Sequence, residues 1–311
     1  MKKNQANRME WKKISKKMRN DWLLYLLIVP VVVWYLIFCY LPIAGGLSLS
    51  VRNFRFDEGI WTSPFVGLQH FQKMFADRDF MRATGNTIII SLGRIAFQMP
   101  CAILAAIFLN EIRNAKLKRT FQTVITFPHF ISWVVLAGIL SNIFGSSGII
   151  NQVLTMLGIE NISPITTAAT FRPFIWLSNI WKEVGWDSII YLAAITSIDP
   201  GLYEAAEVDG AGRLQRIWHI TLPSIRVTIV MVATLNIANI LNAGFDQIYN
   251  MYSPVVYQSG DIIDTYVYRL SFVNAQYSLA TAIGLLKSAI SFIMIVTAHK
   301  MAKKFANYQI F

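Results

Sequence analysis

The 311 residues are 55% hydrophobic and only 14% charged, with a mean hydropathy of +0.46 and a formal net charge of +11. Soluble domains carry about 25% charged residues, so this balance excludes a disordered chain and a disulfide scaffold and argues against an ordinary soluble enzyme. It points to an integral membrane protein, with room for about five to eight helical spans at ~20 residues each.

The chain starts with a basic segment, residues 1–21, that holds Lys2, Lys3, Arg8, Lys12, Lys13, Lys16, Lys17 and Arg19. The excess stops where the first apolar run begins. That placement suits a cytoplasmic juxtamembrane segment facing acidic lipid, and no nucleic-acid partner is expected. Six apolar segments follow, at about 22–46, 84–110, 120–144, 172–196, 223–244 and 278–300. Each is long enough to cross a hydrocarbon core of ~30 Å as a helix. The first runs on past Phe38 with no A-x-A site behind it, so it reads as an uncleaved anchor.

Loop charges give the orientation. Lys and Arg in the N-terminal segment, the loop at 113–119, the loop at 213–216 and the tail number seventeen, against seven on the other side. By the positive-inside rule both termini are cytoplasmic. The expected organisation is a cytoplasmic segment 1–21, a six-helix region 22–300 and a cytoplasmic tail 301–311. The long outer loops are aromatic: Phe54, Phe56, Trp61 and Phe65 in one, Tyr249, Tyr252, Tyr257, Tyr266 and Tyr268 in the other. Two readings stay open, an interfacial belt and a rigid docking face for an external partner.

Ionisable groups within spans are expensive and face a partner or a cavity. The fourth segment places Asn179, Lys182, Glu183, Trp186 and Asp187 at steps of three and four, hence along one stripe. Amides and charges bond hydroxyls, and indole rings stack on pyranose C–H surfaces, so the stripe suits a sugar path. Asn236 and Asn239 repeat the theme in the fifth segment. Asn179, Lys182, Glu183, Trp186, Asn236 and Asn239 are therefore the candidate path residues. Arg94 and Lys287 also lie within spans, and either can instead neutralise Glu183 or Asp187 between helices. Cys39 and Cys101 have no metal spacing, and His70, His129, His219 and His299 are scattered. Neither a metal site nor a catalytic triad is expected.

The loop at 197–223 is the most informative segment. Asp199 is a good N-cap, Pro200 suits the first helical position, and Gly210 can end the turn. A helix of two to three turns is predicted outside the bilayer. Ala205 and Ala206 keep it slim enough for a groove on another protein, where Glu204 can meet a basic residue. Glu204-Ala205-Ala206, three residues, Gly210, nine residues, then Ile220-x-Leu222-Pro223 resembles the EAA signature of ABC importer membrane subunits, with every position filled. Trp61-Thr62-Ser63-Pro64-Phe65-Val66-Gly67-Leu68 is similar to the first outer loop of maltose-type carbohydrate permeases. The segments 244–249 and 261–268 resemble a subgroup linked to complex, often uronate-bearing, oligosaccharides.

The resemblance implies an all-α type I importer permease in a bacterial cytoplasmic membrane. It implies a heterodimer with a second homologous permease, two ATPase subunits and an extracytoplasmic solute-binding protein that delivers the oligosaccharide. Glu204, Ala205, Ala206, Asp209 and Gly210 would form the coupling helix, with Glu204 against an arginine of the ATPase cleft. Some relatives of this type carry eight spans and a large outer domain. This chain has neither, so a smaller docking face is expected. No G-x-x-x-x-G-K-[ST] run occurs, so no cofactor is expected in this chain, and ATP with magnesium would sit on the partner ATPases. A membrane-embedded enzyme would need an acid or nucleophile constellation that the sequence lacks, and a passive channel needs no coupling helix.

Overall fold

The computed structural model describes residues 21–306, with side chains through residue 300. The expected basic N-terminal segment and the end of the tail lie outside the described residues. Among the described residues the regular elements are all helices, with one isolated bridge between Arg52 and Phe65 and no strand. The described residues divide into two compact units, one running to Phe71 and joined by Tyr277–Leu285, the other Gln72–Gln276 joined by the residues from Leu286 on.

The first unit is built on α1, Trp22–Ser50. It is long and apolar enough to span a membrane, with Pro30 inside it and a π-helical turn over Leu36–Tyr40. Its apolar side chains stay exposed as far as Leu41, as suits a helix whose surroundings are themselves apolar. Beyond it the 61–68 loop folds back. Asn53 donates to the Pro64 carbonyl (2.9 Å), Val66 to that of Val51 (2.9 Å), and the Arg52 guanidinium to that of Ser63 (2.7 Å). The fully buried Ser63 hydroxyl accepts from the Arg55 amide at 3.0 Å. Phe54, Phe56 and Tyr277 meet edge to face with centroids 5.1 to 5.9 Å apart.

The second unit centres on two long helices, α2 (Arg78–Glu111) and α4 (Ala168–Thr196). Asp77 caps α2 by accepting from the amides of Asp79 and Phe80. Burial pushes its carboxyl up, but the Tyr266 hydroxyl, those amides and Lys73 outweigh that and hold it below the usual value. The two helices approach closely because Gly93 leaves room for an indole. A Cβ there would lie 2.2 Å from the Trp176 ring, whose Nε1 donates to the Ile90 carbonyl at 3.0 Å. Two apolar cores result, one around Ile90, Phe171, Ile175, Ile248 and Ile262, the other around Ala106, Leu109, Tyr191, Ile195 and Ile225.

Two of the apolar segments are interrupted rather than continuous. The 120–144 run is broken into α3 (Ala115–Thr126), a 3-10 turn at Phe127–Phe130 and a helix that restarts at Trp133, with the Ser132 hydroxyl accepting from the Val135 amide. Pro128 cannot donate to the preceding turn, and Ser132 offers a new cap. The 223–244 run bends by 60° between Arg213–Ser224 and Arg226–Ala238, and the helix then stops before Gly244, whose φ is +85°. Among the described residues, by length and apolarity four helices can cross a membrane (Trp22–Ser50, Arg78–Glu111, Trp133–Met156, Tyr277–Lys300), or five if the bent pair is one span. α4 has 29 residues, about 43 Å of helix. It falls outside that set through charge, not length, since Arg172, Lys182, Glu183 and Asp187 are spread along it.

A polar hub fastens the 257–273 region to α2 and α4. Asp261 is fully buried, and its carboxylate accepts from both Arg269 Nη atoms (3.1 and 2.6 Å) and from Thr265 Oγ1 (2.9 Å). Burial disfavours the Arg269 charge, but Asp261 and the neighbouring tyrosines outweigh it, so the guanidinium holds its proton more tightly than usual. Asn86 donates to the Asp261 carbonyl (2.9 Å), and Arg172 bridges Asn86 Oδ1 (2.7 Å) and the Ser259 carbonyl (3.0 Å). Lys287 pairs with Asp264 at 2.5 Å. That corrects the expectation of a Glu183 or Asp187 partner: the segment around 263 is folded in against the helix, a tertiary placement invisible in helical spacing.

Gly185 is the sharpest steric test of this unit. A Cβ there would lie 2.1 Å from the Ile125 carbonyl oxygen, a backbone atom that cannot swing away, whereas Gly138 has nothing within 4 Å. Gly185→Ala should lower the melting temperature of the purified protein in detergent by about 5–10 °C, while Gly138→Ala stays within about 2 °C. Equal stability of the two variants would contradict the crossing of α3 and α4.

Candidate functional site

The second unit holds a half-open cavity of about 610 Å³. Ser91, Arg94 and Gln98 reach it from α2, Asn179, Glu183, Trp186, Asp187 and Tyr191 from α4, and Asn236, Asn239 and Asn242 from the end of the bent pair and the chain beyond it, with Trp133 beside them. The polar groups come from helix faces at steps of three and four, which is why several elements converge on one space.

A chain of amide contacts runs along the wall. Asn179 Nδ2 donates to Gln98 Oε1, and Gln98 Nε2 donates to Asp187 Oδ2. The Arg94 guanidinium donates to Gln247 Oε1, and Gln247, fully buried, donates in turn to the Ile175 carbonyl (2.8 Å) and Ser178 Oγ (3.0 Å). Ser91 Oγ, Arg94 Nε and Tyr191 Oη are buried without a hydrogen-bond partner among the described residues. All three side chains belong to the cavity lining. Buried polar groups are normally paired, and these three are exceptions beside the cavity.

Of the six predicted path residues, Asn179, Glu183, Trp186, Asn236 and Asn239 line this cavity and Lys182 does not. Lys182 is buried, with Nζ donating to the His129 carbonyl (2.6 Å) and to Glu183 Oε1 (2.8 Å), and it lies 5.4 Å from the centre of the Trp133 ring. The physical reason is the break at 127–130: it strips the His129 carbonyl of its helical donor, and a cation on the neighbouring helix replaces it. His129 sits in the same cluster. Its Nδ1 contacts Glu183 Oε2 at 2.5 Å, and its ring stacks on Trp186 at 4.3 Å, with 3° between planes.

Sequence reasoning left Gln98, Ser91, Tyr191 and His129 unassigned. Ser91, Arg94 and Gln98 do share one helical face, a signal present in the spacing. His129 had none, because its role depends on a helix break.

The second feature is the exposed loop helix α5, Pro200–Val208. Asp199 Oδ1 accepts from the Gly201 amide at 2.9 Å, and Pro200 takes the first helical position, as predicted. Gly210 has φ +78°, and the amides of Gly210 and Ala211 return to the carbonyls of Glu207 (3.1 Å) and Ala206 (2.9 Å). Tyr203 bonds the buried Thr221 hydroxyl (2.9 Å), and Glu207 pairs with Arg216 (3.1 Å). Glu204, Ala205, Asp209 and Gly210 are exposed and Ala206 is half-buried, so the predicted docking residues stand on one accessible element. Glu204 has no ion-pair partner among the described residues.

A helical membrane protein with a polar cavity among its long helices and an exposed EAA helix is the form of an ABC importer permease. The match is direct: residues 98–306 fit the model of the binding-protein-dependent transport system inner membrane component, and the chain belongs to that family. It is a transport component, not an enzyme. LplB of Bacillus subtilis is 42% identical, over 94% of this chain and 92% of its own length. YteP of the same organism, a polygalacturonan/rhamnogalacturonan transport system permease, is 39% identical over 96% and 94%. Among solved structures, a chain of a bacterial alginate ABC transporter, crystallised in complex with an alginate pentasaccharide-bound periplasmic protein, superposes with a TM-score of 0.85 at 37% identity, covering 95% of this chain and 99% of that one.

The Lys182 assignment has a measurable consequence. Lys182→Met removes one member of a buried pair and should cost about 3–5 kcal/mol. The double variant Lys182→Met/Glu183→Gln should recover much of that loss. Detergent melting curves of both proteins and wild type decide it. A stable single variant with altered uptake would instead return Lys182 to the path.

Proposed function

We propose that this chain is one permease subunit of an importer for oligosaccharides, uronate-bearing ones in particular, in a bacterial cytoplasmic membrane. It crosses six times, residues 22–300 forming the membrane region, with the 1–21 segment and the 301–311 tail inside. It pairs with a second homologous permease as a heterodimer, which completes the path. Two ATPase subunits, holding ATP and magnesium, dock on the loop at 197–223, and an extracytoplasmic binding protein delivers the sugar.

The observation that carries this reading is the convergence of Asn179, Glu183, Trp186, Asn236 and Asn239 on one cavity of about 610 Å³. Amides and carboxylates there can bond hydroxyls, and Trp186 offers a ring face to a pyranose. Support for the uronate part is the substrate of two similar systems, polygalacturonan/rhamnogalacturonan for one and the acidic polysaccharide alginate for another. Arg94 takes the place of Lys182 as the cation on the cavity lining. Arg94 is where a carboxylate would be read.

In the complex reconstituted with its binding protein, galacturonate oligomers should stimulate ATP hydrolysis and malto-oligosaccharides should not. Equal stimulation by both would remove the acidic specificity and leave the sugar reading.

Coupling should depend on α5. Glu204→Lys reverses the exposed charge, and Gly210→Val forces a β-branched residue into φ +78°. Both should reach the membrane at normal levels and lose substrate-stimulated hydrolysis by at least about tenfold, against an unstimulated rate that is unchanged. Full coupling in both would sink the docking assignment.

Topology is testable by thiol labelling in a cysteine-free background. Cysteines at the exposed positions Asp57, Asn161 and Asn274 should react from outside intact cells, and those at Ala115 and Asp209 only after permeabilisation. Reaction at Ala115 in intact cells would reverse the orientation.

A further inference from the structure

Beyond the cavity, the chain turns at Gly244 into a short helix, α6 (Phe245–Met251), and from there aromatic rings pack into a continuous branched row, centred on Phe245, Tyr249 and Tyr268, with Phe245 5.8 Å from Tyr268. Phe245 stacks on Tyr249 at 5.1 Å with 18° between planes. Tyr249 meets Tyr268 at 4.7 Å, and Tyr268 meets Phe272 at 5.0 Å. On the other side Tyr249 lies 6.2 Å from Tyr252, which lies 5.1 Å from Tyr257. Phe272 is 72% exposed and Tyr249 37%. At the centre the Tyr249 hydroxyl donates to that of Tyr268 at 3.0 Å.

The row is rigidly backed. Gln247 and Ile248, on the opposite face of α6, are fully buried, and Gln247 is tied to Ile175 and Ser178. At the other end, Arg269 lies 4.4 Å over the Tyr257 ring and is itself held by buried Asp261. Rings held this way lose little freedom when something stacks on them.

Continuity decides what that something is. Asn239 and Asn242 line the cavity, and Phe245 opens the row three residues later. Ring packing that begins beside the cavity lining suits a path continuous with it. We propose that the row on residues 245–272 is a second carbohydrate lane, outside the cavity, that stacks the trailing residues of an oligosaccharide whose leading residue occupies the cavity. Pyranose C–H faces are its ligand, and chain length is what it reads. The proposal rests on the oligosaccharide reading of the cavity.

The test uses the complete transporter with its binding protein in proteoliposomes, and di- and hexasaccharides of the galacturonate, alginate and malto series. Tyr249→Ala and Phe272→Ala should each lower initial uptake of the hexasaccharide about five- to tenfold and leave the disaccharide within about twofold. Tyr249→Trp, which keeps a stacking face, should restore the hexasaccharide rate. Unstimulated ATP hydrolysis and gel-filtration profile, measured on the same samples, should match wild type. Equal loss for both lengths, together with weaker binding of the unloaded binding protein, would make the row a protein-docking face and overturn the lane. If Trp186→Ala impairs uptake of both lengths and the row variants impair neither, the lane falls and the cavity reading stands. If no series is taken up by the wild-type complex, both fall together.

Discussion

A charge buried among helices must find a partner or a polar cavity, and this constraint organises the second unit. Lys182 answers Glu183 and a bare carbonyl, Arg94 answers Gln247, Arg172 answers Asn86 and the Ser259 carbonyl, and Asp187 answers Gln98. Each partner lies on a different stretch of chain, Glu183 excepted. The polar pairs therefore act as cross-links that fix helix register where apolar surfaces, alike in any rotation, specify little. The close approach of α2 and α4 at Gly93 and Trp176 then brings Ser91, Gln98 and Asn179 to one wall.

Irregular backbone follows the same logic. Non-helical peptide groups packed among helices must find partners or line a cavity. The turn at 127–130 exposes the His129 carbonyl, and Lys182 satisfies it. The chain at 239–244 leaves the helix beside the cavity and contributes Asn239 and Asn242 to it. These breaks shape the site. A straight helix through 120–144 would have carried His129 away from Glu183 and Trp186.

The loop helix α5 is governed by different physics. Its start, its length and its end are local: an Asp cap, a Pro at the first position and a left-handed glycine. Tyr203 and the Glu207–Arg216 pair anchor it, which leaves Glu204 and Ala205 exposed on a fixed element.

The amino-acid sequence by itself determined the membrane class, the apolar runs, the exposed loop helix with its caps, and the stripe from Asn179 to Trp186. These depend on composition, on periodicity and on capping, all of which act within a few residues. Only the tertiary structure decided that Lys182 turns from the cavity to a carbonyl, that Lys287 answers Asp264, that two apolar runs break, and that His129 lies flat on Trp186. Helical spacing shows which residues share a face of one helix. Which of those residues meets a cavity and which meets a neighbour depends on where other helices cross, and a crossing such as Gly185 on Ile125 is set by partners 60 positions away in the chain.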